Sequence, residues 1–237
     1  TDRSRGLGDV YKRQIFGPGN QYVTAAKQLV SLKEVAIDMP AGPSEVEVIA
    51  DESANPAFIA ADFLSQAEHG MDSQAMLVTA SESIVEPVMQ AIREQLDRLP
   101  RKEITEKSLS HSRLIVLKDK QEVIDFTNLY APEHLIIQTT DYADIAGQVE
   151  NAGSVFMGPY TPESAGDYAS GTNHTLPTNG YAKAYSGVNL DSFIKKITFQ
   201  EITADGIRLL GGTIRTMAAN EQLDAHKNAV TIRLNTL

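Results

Sequence analysis

The 237-residue sequence contains no cysteine. That excludes a disulfide framework and any thiolate metal site, so a metal ion would need His, Asp, Glu, Gln or backbone oxygen as ligands. Basic residues are few: 21 Lys and Arg stand against 31 Asp and Glu, a net charge of -10. With no long Lys/Arg run, the chain is a poor candidate for binding a phosphate backbone. No apolar run approaches the ~20 residues needed to span a bilayer. Nor does an apolar segment follow the early arginines, as a secretory signal would require. The cytoplasm is the expected location. There is no internal repeat and no low-complexity tract. The rest is ordinary for a globular protein, with 42% apolar and 22% charged residues. The length suits one large domain or two small ones with a sizeable core.

The first stretch, "TDRSRGLGDVYKRQ" (1–14), has no period and reads as a non-native or disordered leader. From Ile15 the pattern alternates between helix and strand. "QYVTAAKQLVSL" predicts a helix, "EVAID" a short strand, and "MPAGPSE" (39–45) a break and domain boundary. "VEVIA" (46–50) predicts a strand. Asn55–Pro56 then signals a helix start, with the helix running to His69. Strands are expected at 74–79, 113–117, 135–138 and 154–156, with helices at 82–98, 120–130 and 141–150. Such alternation implies right-handed crossovers and a mostly parallel sheet. Residues 157–190 are rich in Gly, Pro, Ser, Thr and Asn and read as a long functional loop. The remainder predicts a strand-like "KKITFQEI" followed by one or two helices.

Four polar clusters interrupt this pattern. In "LSQAEHGMDSQ" (64–74), Gln66 and His69 lie three residues apart and share a helix face. They sit in a last turn, where the helix dipole favours a cation. A neutral imidazole suits zinc and similar ions. From this stretch alone, a terminal histidine beside a surface amide is the better reading. In "YAPEHLII" (130–137), Glu133 and His134 stand at a helix-to-strand break, where α/β proteins place functional groups. Both could act as general bases; a polar turn is the plainer alternative. "PESAGDYASGTNH" (162–174) carries Asp167 among small residues that let other groups approach, or is simply a flexible loop. In "NEQLDAHKNAV" (220–230), His226 falls on an apolar stripe, where a lone histidine is usually a core residue; Glu221 precedes it. Of five histidines, His69, His134, His174 and His226 fall in these clusters, and His111 in a plain linker. "GPGN" (17–20) precedes a helix and could meet a phosphate. It lacks the third glycine of the dinucleotide fingerprint.

Taken together, "GPGNQYVTAAK", "AIDMPAGPSEV", "DFLSQAEHGMDSQ", "YAPEHLII", "PESAGDYASGTNH" and "LDAHKNAVTIRLN" resemble the histidinol dehydrogenases in order and spacing, from Ile15 to the C-terminus. The resemblance implies zinc held by Gln66, His69 and Asp167, with His226 contributed across the interface of a homodimer. It implies NAD as cofactor, contacted by Asn20, and two successive oxidations carrying L-histidinol through histidinal to L-histidine. His134 would remove the alcohol proton, and Glu133 would activate the water that adds to the aldehyde. Ser44, His134 and Glu221 would touch the substrate, as would the ligands Gln66, His69, Asp167 and His226. His174 would at most support the ligands.

The expected fold is an incomplete Rossmann-like α/β sheet flanked by helices, with a small C-terminal helical extension. The expected organisation is a leader (1–14), a remnant of a second α/β domain with part of the NAD site (15–45), a main domain with the metal and catalytic residues (46–188), and a dimerisation extension (189–237). Family members are roughly twice this length, so the chain is expected to be a C-terminal half. Two other readings compete with the enzyme: an inactive metal-binding fragment, and a non-catalytic α/β interaction domain.

Overall fold

A computed structural model of the protein describes residues 14–237 apart from Pro18 and Glu34. The leader expected at 1–14 lies outside these residues except for Gln14. The chain falls into two compact units, one ending at Phe193 and the other spanning Ile194–Leu237.

The larger unit is built on five parallel strands: β3 (Glu45–Ala50), β4 (Gln74–Thr79), β5 (Arg113–Val116), β6 (His134–Gln138) and β7 (Ser154–Met157). Their spatial order is β5-β4-β3-β6-β7. The strand that comes first in the chain within this sheet, β3, is therefore central and the chain winds outward on both sides, the doubly wound arrangement. Ahead of it, β1 (Gln14–Ile15) and β2 (Ala36–Ile37) form a short parallel pair. They are linked through α1 (Gln21–Ser31), whose N-cap Asn20 accepts from the Tyr22 and Val23 amides. Among the described residues no helix is long and apolar enough to cross a membrane.

Strand β3, "EVEVIA", is buried at every position, as a central parallel strand covered on both faces must be. Alternate residues point to opposite faces. Val46, Val48 and Ala50 join Ile59, Phe63 and Leu64 of α2 (Pro56–Ala67) and Val88 of α3 (Val85–Leu96) in one core. On the other face Ile49 joins Leu135, Ile137 and the Val123 and Ile124 side chains of α5 (Lys120–Tyr130). Asn55 caps α2 by accepting from the Ala57 amide at 2.9 Å, and Pro56 takes the first turn.

Glu45 and Glu47 share the second face with Ile49. Glu47 accepts from the Thr127 hydroxyl on one oxygen, and its other oxygen has no partner among the described residues. Burial pushes its carboxyl up to about 8. The folded state therefore holds a proton that the unfolded chain releases near 4.5, and stability falls as pH rises through that window. Glu47→Gln removes this titration. Relative to the parent, the variant should be close in stability at pH 5 and clearly more stable at pH 8. At about 1.4 kcal/mol per pKa unit the swing is a few kcal/mol. Thermal melts at the two pH values check this, and an identical difference at both would contradict it.

Four expectations are corrected. Residues expected as linker contain α4 (Lys102–Leu109). The helix expected at 141–150 is the short α6 (Tyr142–Ala146). The long loop contains α7 (Glu163–Tyr168), which carries Asp167. "KKITFQEI" forms no strand: residues 195–202 are exposed and pair with no strand among the described residues.

The smaller unit is a helix pair, α8 (Ala204–Asn220) and α9 (Asp224–Asn235). Gly211 lets them approach, since a Cβ there would lie 2.8 Å from Leu234. Ala218 and Val230 are its buried apolar residues.

Candidate active site

Several of the candidate side chains gather at the amino ends of β3 and β6, which lie side by side in register Val46↔His134. Sequence reasoning expects function at a strand edge, and in open α/β sheets that usually means the carboxyl ends. Here the crevice at the carboxyl ends is lined by Asp51, Glu52 and Asp141, and its Lys120 is engaged by Asp141 and Asp144. Such a crevice repels phosphate. At the amino ends a cavity of about 550 Å³ is lined by Ser44, His69, Glu133, His134, Asp167 and His174, among others.

Each of these residues has a local reason to be there. Helix α5 ends at Tyr130, and Ala131 adopts a left-handed conformation (φ 57°) that turns the chain into β6. Glu133 and His134 follow directly. Gly153 lies against this turn, since a Cβ there would collide with the Glu133 carbonyl. Ser44 precedes β3, in a segment whose Gly42 (φ 98°) passes so near the Gly19 carbonyl that no side chain fits. The sequence expectation ran α2 to His69; the helix ends at Ala67, and His69 is reached through a tighter closing turn, its amide donating to the Gln66 carbonyl at 3.2 Å.

His134 is almost wholly buried. Its Nδ1 lies 3.2 Å from the Glu45 carbonyl, which can only accept. Nδ1 therefore carries the proton, and Nε2 is left as a lone pair with no partner among the described residues. Burial lowers the imidazole pKa to about 4, against the opposing pull of the Glu45 carbonyl and Asp167. It is a neutral base at pH 7. Glu133 accepts from the Glu45 amide at 2.9 Å and lies 3.6 Å from His134 Nδ1. Burial raises its carboxyl well above the usual range, and the charges of Glu45, Glu163 and Asp167 add to the effect.

His69, Glu163 and Asp167 offer ligand atoms that all lie within 4.8 Å of one another. One imidazole and two carboxylates so placed suit a divalent cation with nitrogen and oxygen preferences. Glu163 was not among the expected site residues. Its signal was present, because Glu163 and Asp167 stand at i and i+4 on one short helix. Burial, with the charges of Asp167 and Asp62, pushes Glu163 up to about 8. Gln66 lies fully buried directly behind it.

The other expected residues fall elsewhere. Asn20 is committed to capping α1, beside the cavity residue Gly19. Glu221 and His226 belong to the smaller unit, at the end of α8 and the first turn of α9. Both are exposed, so His226 is not the core histidine its apolar stripe suggested.

Comparison with known proteins identifies the family. The histidinol dehydrogenase family model matches residues 9–234. A histidinol dehydrogenase of Bacteroides thetaiotaomicron is 71% identical over 228 residues, covering 96% of this chain and 53% of that protein. The chloroplastic histidinol dehydrogenase of Arabidopsis thaliana is 59% identical, covering 94% and 49%. A crystal structure of histidinol dehydrogenase from Elizabethkingia anophelis superposes with a TM-score of 0.91 at 59% identity, covering 94% of this chain and 52% of that one. The chain spans about half the length of the curated relatives it matches. It belongs to the histidinol dehydrogenase family.

Proposed function

We propose that this chain carries the substrate, metal and proton-transfer groups of a cytoplasmic, zinc-dependent histidinol dehydrogenase. The reaction is the oxidation of L-histidinol through histidinal to L-histidine with two NAD, the last step of histidine biosynthesis. The observation that carries this reading is one cavity lined by a neutral base with a free lone pair, His134, and by His69 and Asp167, two members of the His69–Glu163–Asp167 cluster. The names of the relatives supply the substrate.

Gln66, His69 and Asp167 would hold zinc, joined by His226 of the partner subunit in a homodimer. When bound, the metal supplies a fixed attachment point for the substrate's nitrogen atoms. Each oxidation removes a hydride, for which NAD is the acceptor, and a proton, which the protein must handle. Asn20 would contact NAD, and Ser44 and Glu221 would touch the substrate. His134 Nε2 takes the proton from the alcohol oxygen. Glu133 takes the proton from the water that adds to the aldehyde carbon.

Ligand-induced stabilisation tests the substrate assignment. With zinc present, histidinol at 100 times its Kd should add about 2.7 kcal/mol, a rise in Tm of roughly 5–10 °C for a chain of this size. Chelation should abolish the response. No response to histidinol, or an equal response without zinc, would sink the reading.

A further inference from the structure

Gln66 differs from the other expected ligands in one respect. The two ends of its amide have the same shape, yet only the oxygen offers a lone pair to a cation. Gln66 is fully buried, so water does not choose between the ends. The neighbouring carboxylate does. With its nitrogen facing Glu163, the amide donates to Oε1 at 2.7 Å and to Oε2 at 3.0 Å. With Glu163 ionised, as a neighbouring cation would favour, the reverse orientation would set the amide oxygen against two carboxylate oxygens with no donor between them. The hydrogen-bond pattern therefore fixes the orientation. Glu163 is itself 2% exposed, in the first turn of α7, one turn from Asp167. Its ligand-capable oxygen is within 4.8 Å of those of His69 and Asp167, so the amide it grips stands at the edge of the same cluster.

We infer that Glu163 is a positioning residue: it holds the Gln66 amide nitrogen and so leaves Gln66 Oε1 as the atom offered to a metal at His69 and Asp167. This rests on the zinc reading above. The competing role for the same carboxylate is direct ligation. That would draw Glu163 toward the cation and leave a buried N–H of Gln66 unpaired, whereas with the amide nitrogen facing Glu163 both carboxylate oxygens are engaged.

The test measures zinc affinity of the full 237-residue chain by competition with a chromophoric chelator. Glu163→Leu should lose about 10- to 100-fold, the range for a residue that orients a ligand. Glu163→Gln should stay within about threefold, because its side-chain oxygen still accepts from Gln66. In a Gln66→Glu background both ends of side chain 66 are oxygen. Glu163→Leu should there cost less than about threefold, or gain affinity as two carboxylates are no longer opposed. Equal losses for the Gln and Leu variants, or an undiminished loss in the Gln66→Glu background, would make Glu163 a ligand and overturn the inference. No loss with Leu would overturn it too. If circular dichroism shows that Glu163→Leu does not fold, Glu163→Asp replaces it. That variant keeps the charge but draws it back by one methylene, and should lose at least about tenfold; unchanged affinity overturns the inference. His69→Ala is the control. If it leaves zinc affinity unchanged, the zinc reading has failed. If it lowers affinity while Glu163→Leu does not, only the role of Glu163 has failed.

Discussion

In a chimaera in which this chain replaces the segment it matches in the Bacteroides thetaiotaomicron relative, His134→Gln should slow histidinol oxidation by about 10²- to 10⁴-fold, the usual contribution of a positioned general base. The reason is the lone pair on Nε2. His134 is buried, neutral at pH 7 and tied through Nδ1 to a backbone carbonyl, so its second nitrogen is the one that accepts. Glutamine keeps the size and polarity but cannot take a proton. Glu133→Gln should behave differently. It should spare the alcohol step and slow aldehyde oxidation by about 10²-fold or more, because only the second half-reaction needs an activated water. Supplying histidinal directly separates the two. Equal losses with both substrates in both variants would refute this division of labour.

The second large effect concerns the metal. His69→Ala should lower zinc affinity by more than the ~10- to 100-fold typical of a supporting residue, because it would remove a proposed ligand outright. His69 is also the only imidazole in the His69–Glu163–Asp167 cluster. His226→Ala should lower affinity as well, and the zinc-binding species should be a dimer. Zinc content measured on separated monomer and dimer fractions checks this. A monomer holding zinc as tightly as the dimer would exclude a ligand from the partner subunit.

The sheet was legible in the sequence because its strands are short apolar runs punctuated by caps and turns. "QAMLVT" gives β4 without error, and Asn55–Pro56 marks the start of α2. What escaped detection had polar reasons. Helix α4 buries Thr105 and Ser108 rather than apolar residues, with Ser108 donating to the Ser73 carbonyl, so an apolar period could not reveal it. "KKITFQEI" alternates like a strand, but a strand needs a partner for its backbone groups, and the alternation does not supply one. Within the site, spacing alone suggested the Gln66–His69 and Glu133–His134 pairs, and the family resemblance supplied their roles. Convergence in one cavity depends on the β3–β6 register and on α7, which only the folded chain provides. Glu163 went unnoticed because a glutamate in a loop-like segment reads as solvated, yet here it is buried against an amide.

The most direct measurement is an anomalous difference map at the zinc edge from crystals of the zinc-loaded protein. One strong peak is expected, about 2.0–2.2 Å from a His69 nitrogen and an Asp167 oxygen, with the Gln66 oxygen in the same shell. A cavity without a peak, or a peak at the Asp51–Asp141 crevice instead, would contradict the account.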